Sequence, residues 1–208
     1  MLDILFAFDP AVLTAFVLAG LLLNVTPGAD FVFISASGIS GGPRIGVAVA
    51  VGVNLGITVH VIAAAAGVSA VLLAYPGAYD AIRYTGAAYL FYLAIQAWRS
   101  DDVLGEGRAA PSVQRAIWRG FVTNVLNPKT ALFIFAFVPQ FADPAIGPVW
   151  QQILVLGAVF QINGLIFAIC LGALAGGFAH VLRARARMLT KLSALMFAGL
   201  ALRIALDR

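Results

Sequence analysis

Hydrophobic residues are grouped into six long runs, which are separated by short polar or basic connections. Five of the runs reach the ~20 apolar residues that an α-helix needs to cross a bilayer, and the last run has 18 residues. A helix satisfies its backbone hydrogen bonds within its own segment, so each run predicts a membrane-spanning helix. The runs are Pro10–Ser35, Ile45–Ala74, Ala78–Trp98, Ile117–Phe141, Val149–Ala179 and Leu189–Leu206.

The composition supports a membrane protein and excludes several other classes. Apolar residues make up 62% of the chain and charged residues 11%, against roughly 45–50% and 25% in a soluble domain. A chain of 208 residues has too little interior to bury so much apolar surface. A soluble enzyme, a disordered chain and a nucleic-acid-binding module are therefore excluded. We predict an all-α integral membrane protein that lies in the lipid bilayer and has no nucleic-acid partner.

The basic residues predict the orientation of the chain. They cluster in the connections after the first, third and fifth runs, whereas Tyr75–Gly77 and Ala142–Pro148 contain no Lys or Arg. The positive-inside rule places the basic connections in the cytoplasm and both termini outside. The longest connection, residues 99–115, is expected to be a flexible cytoplasmic loop. The prediction is one multi-pass membrane domain, residues 1–208.

Two segments of the chain repeat each other. Gly20–Pro27 reads G-L-L-L-N-V-T-P, and Gly120–Pro128 reads G-F-V-T-N-V-L-N-P. The first segment lies in a span that runs inward and the second in a span that runs outward. We therefore predict a 3+3 inverted repeat, with repeat 1 over about 10–98 and repeat 2 over about 117–206. Proline removes a backbone donor, so helices 1 and 4 are expected to be broken, as in many transporters.

Longer segments resemble a known family. The stretches N-V-T-P-G-A-D-F-V-F, from Asn24, and G-G-P-R-I-G-V-A-V-A-V-G-V-N-L-G, from Gly41, resemble the N-terminal signature of the lysine exporter (LysE/RhtB) family. Gly86–Arg99 and Phe121–Phe141 resemble that family's third and fourth spans, in the RhtB-like form. The commonest form of this signature reads Pro-Gly-Pro. In this sequence Pro27-Gly28 is followed by Ala29-Asp30 instead. The resemblance implies a transporter domain in a bacterial cytoplasmic membrane. It also implies efflux of amino acids or related metabolites, driven by the proton gradient.

Two charged residues lie beside the breaks that Pro27, Gly28 and Pro128 predict. A charged group within a span costs several kcal/mol and is therefore a functional candidate. Asp30 can bind an ammonium group or carry a proton, or it can cap the helix that follows the break. Lys129 can pair with a substrate carboxylate or with Asp30, or it can extend along its apolar stem towards water.

Neutral polar residues complete the predicted substrate-binding set. They can hydrogen-bond to the substrate, or they can satisfy backbone groups and hold helices together. His60 is a candidate proton relay or a hydrogen-bonded packing residue. With His180 far away and Cys170 the only cysteine, no metal site or other cofactor is expected. The neutral set is Asn24, Thr26, Asn54, Asn124, Asn127 and Asn163.

Three functions remain open at this point. The leading one is a secondary exporter of amino-acid-like solutes, and the second is a passive channel or a membrane assembly subunit. The third, an intramembrane serine hydrolase, rests on the string Gly38-Ile39-Ser40-Gly41. The small-residue pairs Gly52–Gly56 and Gly172–Gly176 permit close helix contact within one chain or in a homodimer.

Overall fold

The computed structural model describes residues 2–26, 28–75, 84, 88, 91, 95 and 112–206, and the regular structure of these residues is helical. This confirms the all-α prediction. Most of the predicted third span, 78–98, and most of the predicted loop, 99–115, lie outside the described residues. The helices are α1 (Leu2–Ala7), α2 (Pro10–Val25), α3 (Ala29–Gly41), α4 (Pro43–Ala74), α5 (Val113–Val125), α6 (Pro128–Leu132) and α7 (Val149–Leu206), with a π-helix at Phe133–Phe137 and 3₁₀ turns at Val138–Phe141 and Pro144–Ile146.

Both predicted helix breaks are present. Helices α2 and α3 are separated by a short break and bend by 56°. Val113–Val125 and Lys129–Phe141 bend by the same 56°. At the second break Asn127 caps α6, because its Oδ1 accepts a hydrogen bond from the Lys129 amide at 3.0 Å. Pro27 itself lies outside the described residues.

The described residues contain two helical segments that are long and apolar enough to cross a membrane alone, Pro43–Gly67 and Val149–Ala175. The number rises to four if each bent pair is one span. The structure differs from the prediction after residue 179, because α7 runs without interruption from Val149 to Leu206. The expected connection, residues 180–188, reads H-V-L-R-A-R-A-R-M; it contains neither Gly nor Pro and consists mainly of Leu, Arg, Ala and Met. These residues favour a helix, which explains the continuity.

Helix α4 lies at the centre of the bundle and packs against α3, α5 and α7. Glycines allow the close crossings: a Cβ on Gly52 would meet the Ile117 carbonyl, and a Cβ on Gly172 would meet the backbone of Gly46. Gly56 likewise faces the Asn124 side chain. These contacts lie within one chain. The predicted homodimer therefore gains no support from them.

Candidate functional site

A cavity of about 50 Å³ lies between the two helix breaks, with room for a few water molecules. Its polar wall comes from both broken segments and from α4. Its apolar wall includes aromatic rings of α3 and α7, among them Phe31, Phe160 and Phe167. Of the predicted residues, the cavity is lined by Asn24, Thr26, Gly28, Asp30, Asn54, Asn127 and Lys129.

Asp30 lies in the first turn of α3, where the helix dipole favours a negative charge. Its Oδ2 accepts hydrogen bonds from the side-chain amides of Asn124 and Asn127, each at 2.8 Å, and from the Thr130 hydroxyl at 3.2 Å. All three donors belong to the second broken segment. The other oxygen, Oδ1, is buried and accepts no hydrogen bond in the structure. Asp30 is also among the residues that line the cavity.

Lys129 crosses in the opposite direction, from the second break to the first. Its Nζ donates to the Leu23 carbonyl at 2.8 Å and to the Thr26 carbonyl at 2.7 Å. The Leu23 carbonyl stands four residues before Pro27, which has no N–H to donate to it. The ammonium group therefore lies at the C-terminal end of α2, where the helix dipole favours a positive charge. Gly28 leaves room for the stem, since a Cβ there would lie 3.2 Å from Lys129 Cδ.

Two residues of α7, Gln161 and Asn163, join this helix to the rest of the cavity region through hydrogen bonds. Asn24 Nδ2 donates to Asn163 Oδ1 at 3.1 Å. Gln161 Nε2 donates to the Asn54 carbonyl at 3.2 Å and to the Thr58 hydroxyl at 2.7 Å. Asn54 Oδ1 is buried without a hydrogen-bond partner. Asn163 supports Asn24 from outside the cavity wall, whereas Asn54 presents a second unpaired acceptor near the cavity.

His60 is buried on α4, where its Nε2 lies 3.1 Å from the Asn124 carbonyl. This carbonyl stands four residues before Pro128 and so loses its ordinary helical partner. It also accepts a hydrogen bond from the Asn127 amide at 2.9 Å. His60 therefore contacts the residue whose side chain binds Asp30, and it does so from outside the cavity wall. His180 belongs to the part of α7 whose side chains are not described.

Thr130 and the aromatic wall are parts of the site that were not predicted from the sequence. Thr130 is buried, lines the cavity and donates to Asp30. Its position directly after Lys129, in an otherwise apolar run, is a signal that could have identified it. The aromatic residues of the wall could not be separated by sequence from the many other apolar residues of the spans.

The alternative based on Ser40 finds no support in the local structure. Ser40 is exposed within α3, and its hydroxyl donates to the Ala36 carbonyl at 2.8 Å. A nucleophilic serine in a Gly-x-Ser-x-Gly elbow instead stands on a tight strand-to-helix turn. In the described part of the chain, no cluster of His, Cys, Asp and Glu is suited to a metal ion.

Sequence comparisons find several bacterial relatives. A Vibrio cholerae uncharacterized membrane protein is 31% identical over 72% of this chain and 73% of its own. A Salmonella typhimurium homoserine/homoserine lactone efflux protein is 30% identical over 69% and 70%. An Enterobacter leucine efflux protein is 28% identical over 91% and 93%. No solved structure matches the chain.

The model of the LysE type translocator family matches residues 21–208, which is most of the chain. The membrane relatives and the long apolar helices confirm the predicted location in a bacterial cytoplasmic membrane. The family match and the relatives also confirm the resemblance to the lysine exporter family that the sequence motifs indicated. The chain belongs to the LysE family of translocators.

Proposed function

We propose that the protein is a secondary transporter that exports amino acids or closely related small metabolites by proton antiport. One observation carries the proposal: a cavity between two broken helices is lined by both Lys129 and Asp30, and one carboxylate oxygen of Asp30 is buried without a hydrogen-bond partner. Opposite charges beside such breaks suit a zwitterion, and broken helices at a central site are typical of secondary transporters.

The relatives support the same direction of transport. Two of them carry names that describe efflux, of homoserine and its lactone in one case and of leucine in the other. The cavity wall combines polar groups with aromatic rings, which fits a solute with a charged α-carbon end and an uncharged remainder. We therefore propose an exporter of amino acids or close derivatives with an uncharged side chain.

In the proposed cycle, the substrate enters from the cytoplasm and its ammonium group binds Asp30 Oδ1. Lys129 takes the substrate carboxylate, and the side chain packs on the aromatic wall. The two repeats then rock to open the cavity outward, and a proton moves inward on the return step. Asp30 is the proposed proton carrier, because it is the acidic residue that lines the cavity.

A passive channel is the competing function. It would conduct solute down a gradient and would not need the proton gradient. The deciding experiment is efflux from cells loaded with a mixture of labelled amino acids, with and without the gene and with and without an uncoupler. Export against a gradient that stops on uncoupling supports the proposal. Flux that is downhill only and insensitive to the uncoupler would replace it with the channel.

A further inference from the structure

The first helix break forms a cation-binding position that the protein fills with its own lysine. The Lys129 ammonium contacts two oxygen atoms at this break, the carbonyls of Leu23 and Thr26. Leu23 and Thr26 line the same cavity as Asp30. The two carbonyls accept from the Lys129 ammonium, and Oδ1 of Asp30 accepts from no group in the structure.

The origin of these oxygens explains why they favour a cation. The Leu23 carbonyl is released by Pro27, and Thr26 is the C-terminal cap of α2 with extended backbone (ψ 120°). Both carbonyls therefore belong to the negative end of the helix dipole. A buried carbonyl without a donor is unfavourable, so this break requires a donor at all times.

The donor reaches the break from the other half of the chain. Lys129 stands at the start of α6, where the helix dipole does not favour a positive charge, and its stem extends to α2. Gly28 has φ −162°, which any residue can adopt. A glycine at this position is therefore explained by the 3.2 Å approach of the lysine stem rather than by backbone geometry. The break is shaped around an ammonium group that is tethered to the opposite segment.

We propose that the two carbonyls and Asp30 Oδ1 form a subsite for a primary ammonium group, and that Lys129 occupies it as a tethered competitor until the substrate's amino group displaces it. The proposal rests on the proposed function for the identity of the natural ligand. Displacement leaves the carbonyls satisfied by the substrate and releases Lys129 to bind the substrate's carboxylate. A substrate that lacks a primary or protonated amino group would leave the carbonyls without a donor and would not release Lys129.

The test uses methylammonium, because it offers the ammonium group without a carboxylate and so avoids the second role of Lys129. The purified full-length protein and its Lys129→Met variant are titrated with methylammonium chloride, and the thermal melting temperature is followed. A tethered group acts at a high effective concentration, so the wild type should bind the ion weakly. Ligand binding to the folded state raises the melting temperature. We expect Lys129→Met to respond at concentrations at least tenfold lower than the wild type does.

Two controls separate the subsite from general salt effects. Tetramethylammonium has the same charge but no N–H, and it should leave Lys129→Met unchanged. Lys191→Met removes an exposed lysine outside the cavity wall and should respond as the wild type does. Adding Asp30→Asn to Lys129→Met should weaken the methylammonium response at least tenfold.

A methylammonium response in Lys129→Met that equals that of the wild type, or that tetramethylammonium reproduces, would overturn the proposal. If Lys129→Met cannot be purified in a folded form, Gly28→Ala decides. The added Cβ crowds Lys129 Cδ, an atom that methylammonium lacks, so this variant should also bind the ion more tightly than the wild type. An unchanged response in Gly28→Ala would then refute the subsite. Since no amino acid is transported in these measurements, a wrong cargo would leave their outcome unaffected.

Discussion

Replacing Asp30 with Asn tests the site most directly, since the two side chains have the same shape. Oδ2 accepts three hydrogen bonds from the second broken segment. A hydrogen bond to a charged group contributes ~1.5–3 kcal/mol and a neutral one ~0.5–1.5 kcal/mol. The substitution therefore weakens this contact between the halves by about 3 kcal/mol in total. Removing a part-buried charge also removes its desolvation cost, so the net loss of stability should be smaller than that sum.

The effect on substrate should be larger than the effect on stability. Oδ1, the unpaired oxygen that we assign to the substrate's ammonium group, becomes an amide atom without charge. Truncating one partner of a buried charge pair costs ~2–5 kcal/mol, and each 1.4 kcal/mol is about tenfold in affinity. We expect the apparent affinity of Asp30→Asn for its amino-acid substrate to fall by about 30-fold or more.

The assay is the initial rate of efflux from reconstituted vesicles at a series of internal substrate concentrations, normalised to the amount of folded protein. Asp9→Asn is the matched control. Asp9 caps α2 through the Ala11 amide at 2.7 Å, and Asn caps a helix equally well. The control should transport as the wild type does. Wild-type affinity and rate in Asp30→Asn, at equal folded protein, would refute the assignment of the ammonium group to this carboxylate.

Three further predictions, each tested by substitution, have definite expected outcomes. Gly52→Ala should sharply reduce the yield of folded protein, because the added Cβ would meet a backbone carbonyl. In the same helix, a Cβ on Gly67 meets nothing within 4 Å, so Gly67→Ala should raise stability by up to ~1 kcal/mol. The melting temperatures of both variants check this prediction. His60→Leu removes a donor from the Asn124 carbonyl, so it should lower the free energy of unfolding by about 1 kcal/mol and slow efflux. His60→Gln keeps an N–H and should restore most of the efflux rate. Ser40→Ala should leave efflux unchanged, and loss of activity in that variant would revive the hydrolase hypothesis.

The sequence predicted the two breaks because proline acts locally. A missing N–H opens a helix wherever the proline stands, so the pairing of Pro27 and Pro128 was visible without a structure. The same locality explains the difference at α7. Basic residues predict which side of the membrane a segment occupies, but they do not end a helix. Residues 180–188 contain no helix breaker, and the helix continues through them.

The partners of the charged residues could not be predicted from the sequence. The sequence left a substrate carboxylate, Asp30 and water open as partners of Lys129, and in the structure its Nζ donates to two carbonyl groups. A proline marks the carbonyl four residues before it as free, but nothing in the local sequence indicates which side chain will reach that carbonyl. Asp30, in turn, binds donors about a hundred residues away in sequence. Such contacts depend on how the two halves dock, which the local pattern does not specify.

The charges around the cavity also predict how transport responds to voltage. The opposite charges of Asp30 and Lys129 cancel each other, and a bound zwitterion adds no net charge to the site. If one proton enters for each zwitterion that leaves, each cycle moves one positive charge inward. A membrane potential that is negative inside then drives export by about 2.3 kcal/mol per 100 mV, which supports a roughly 40-fold concentration ratio.

Vesicles with a potassium diffusion potential and no pH gradient provide the measurement. The accumulation of exported substrate should rise when the imposed potential is negative on the cytoplasmic side of the protein. It should vanish when the sign of the potential is reversed. Insensitivity to the potential would show that export is electroneutral, and the proposed exchange of one proton for one zwitterion would have to be abandoned.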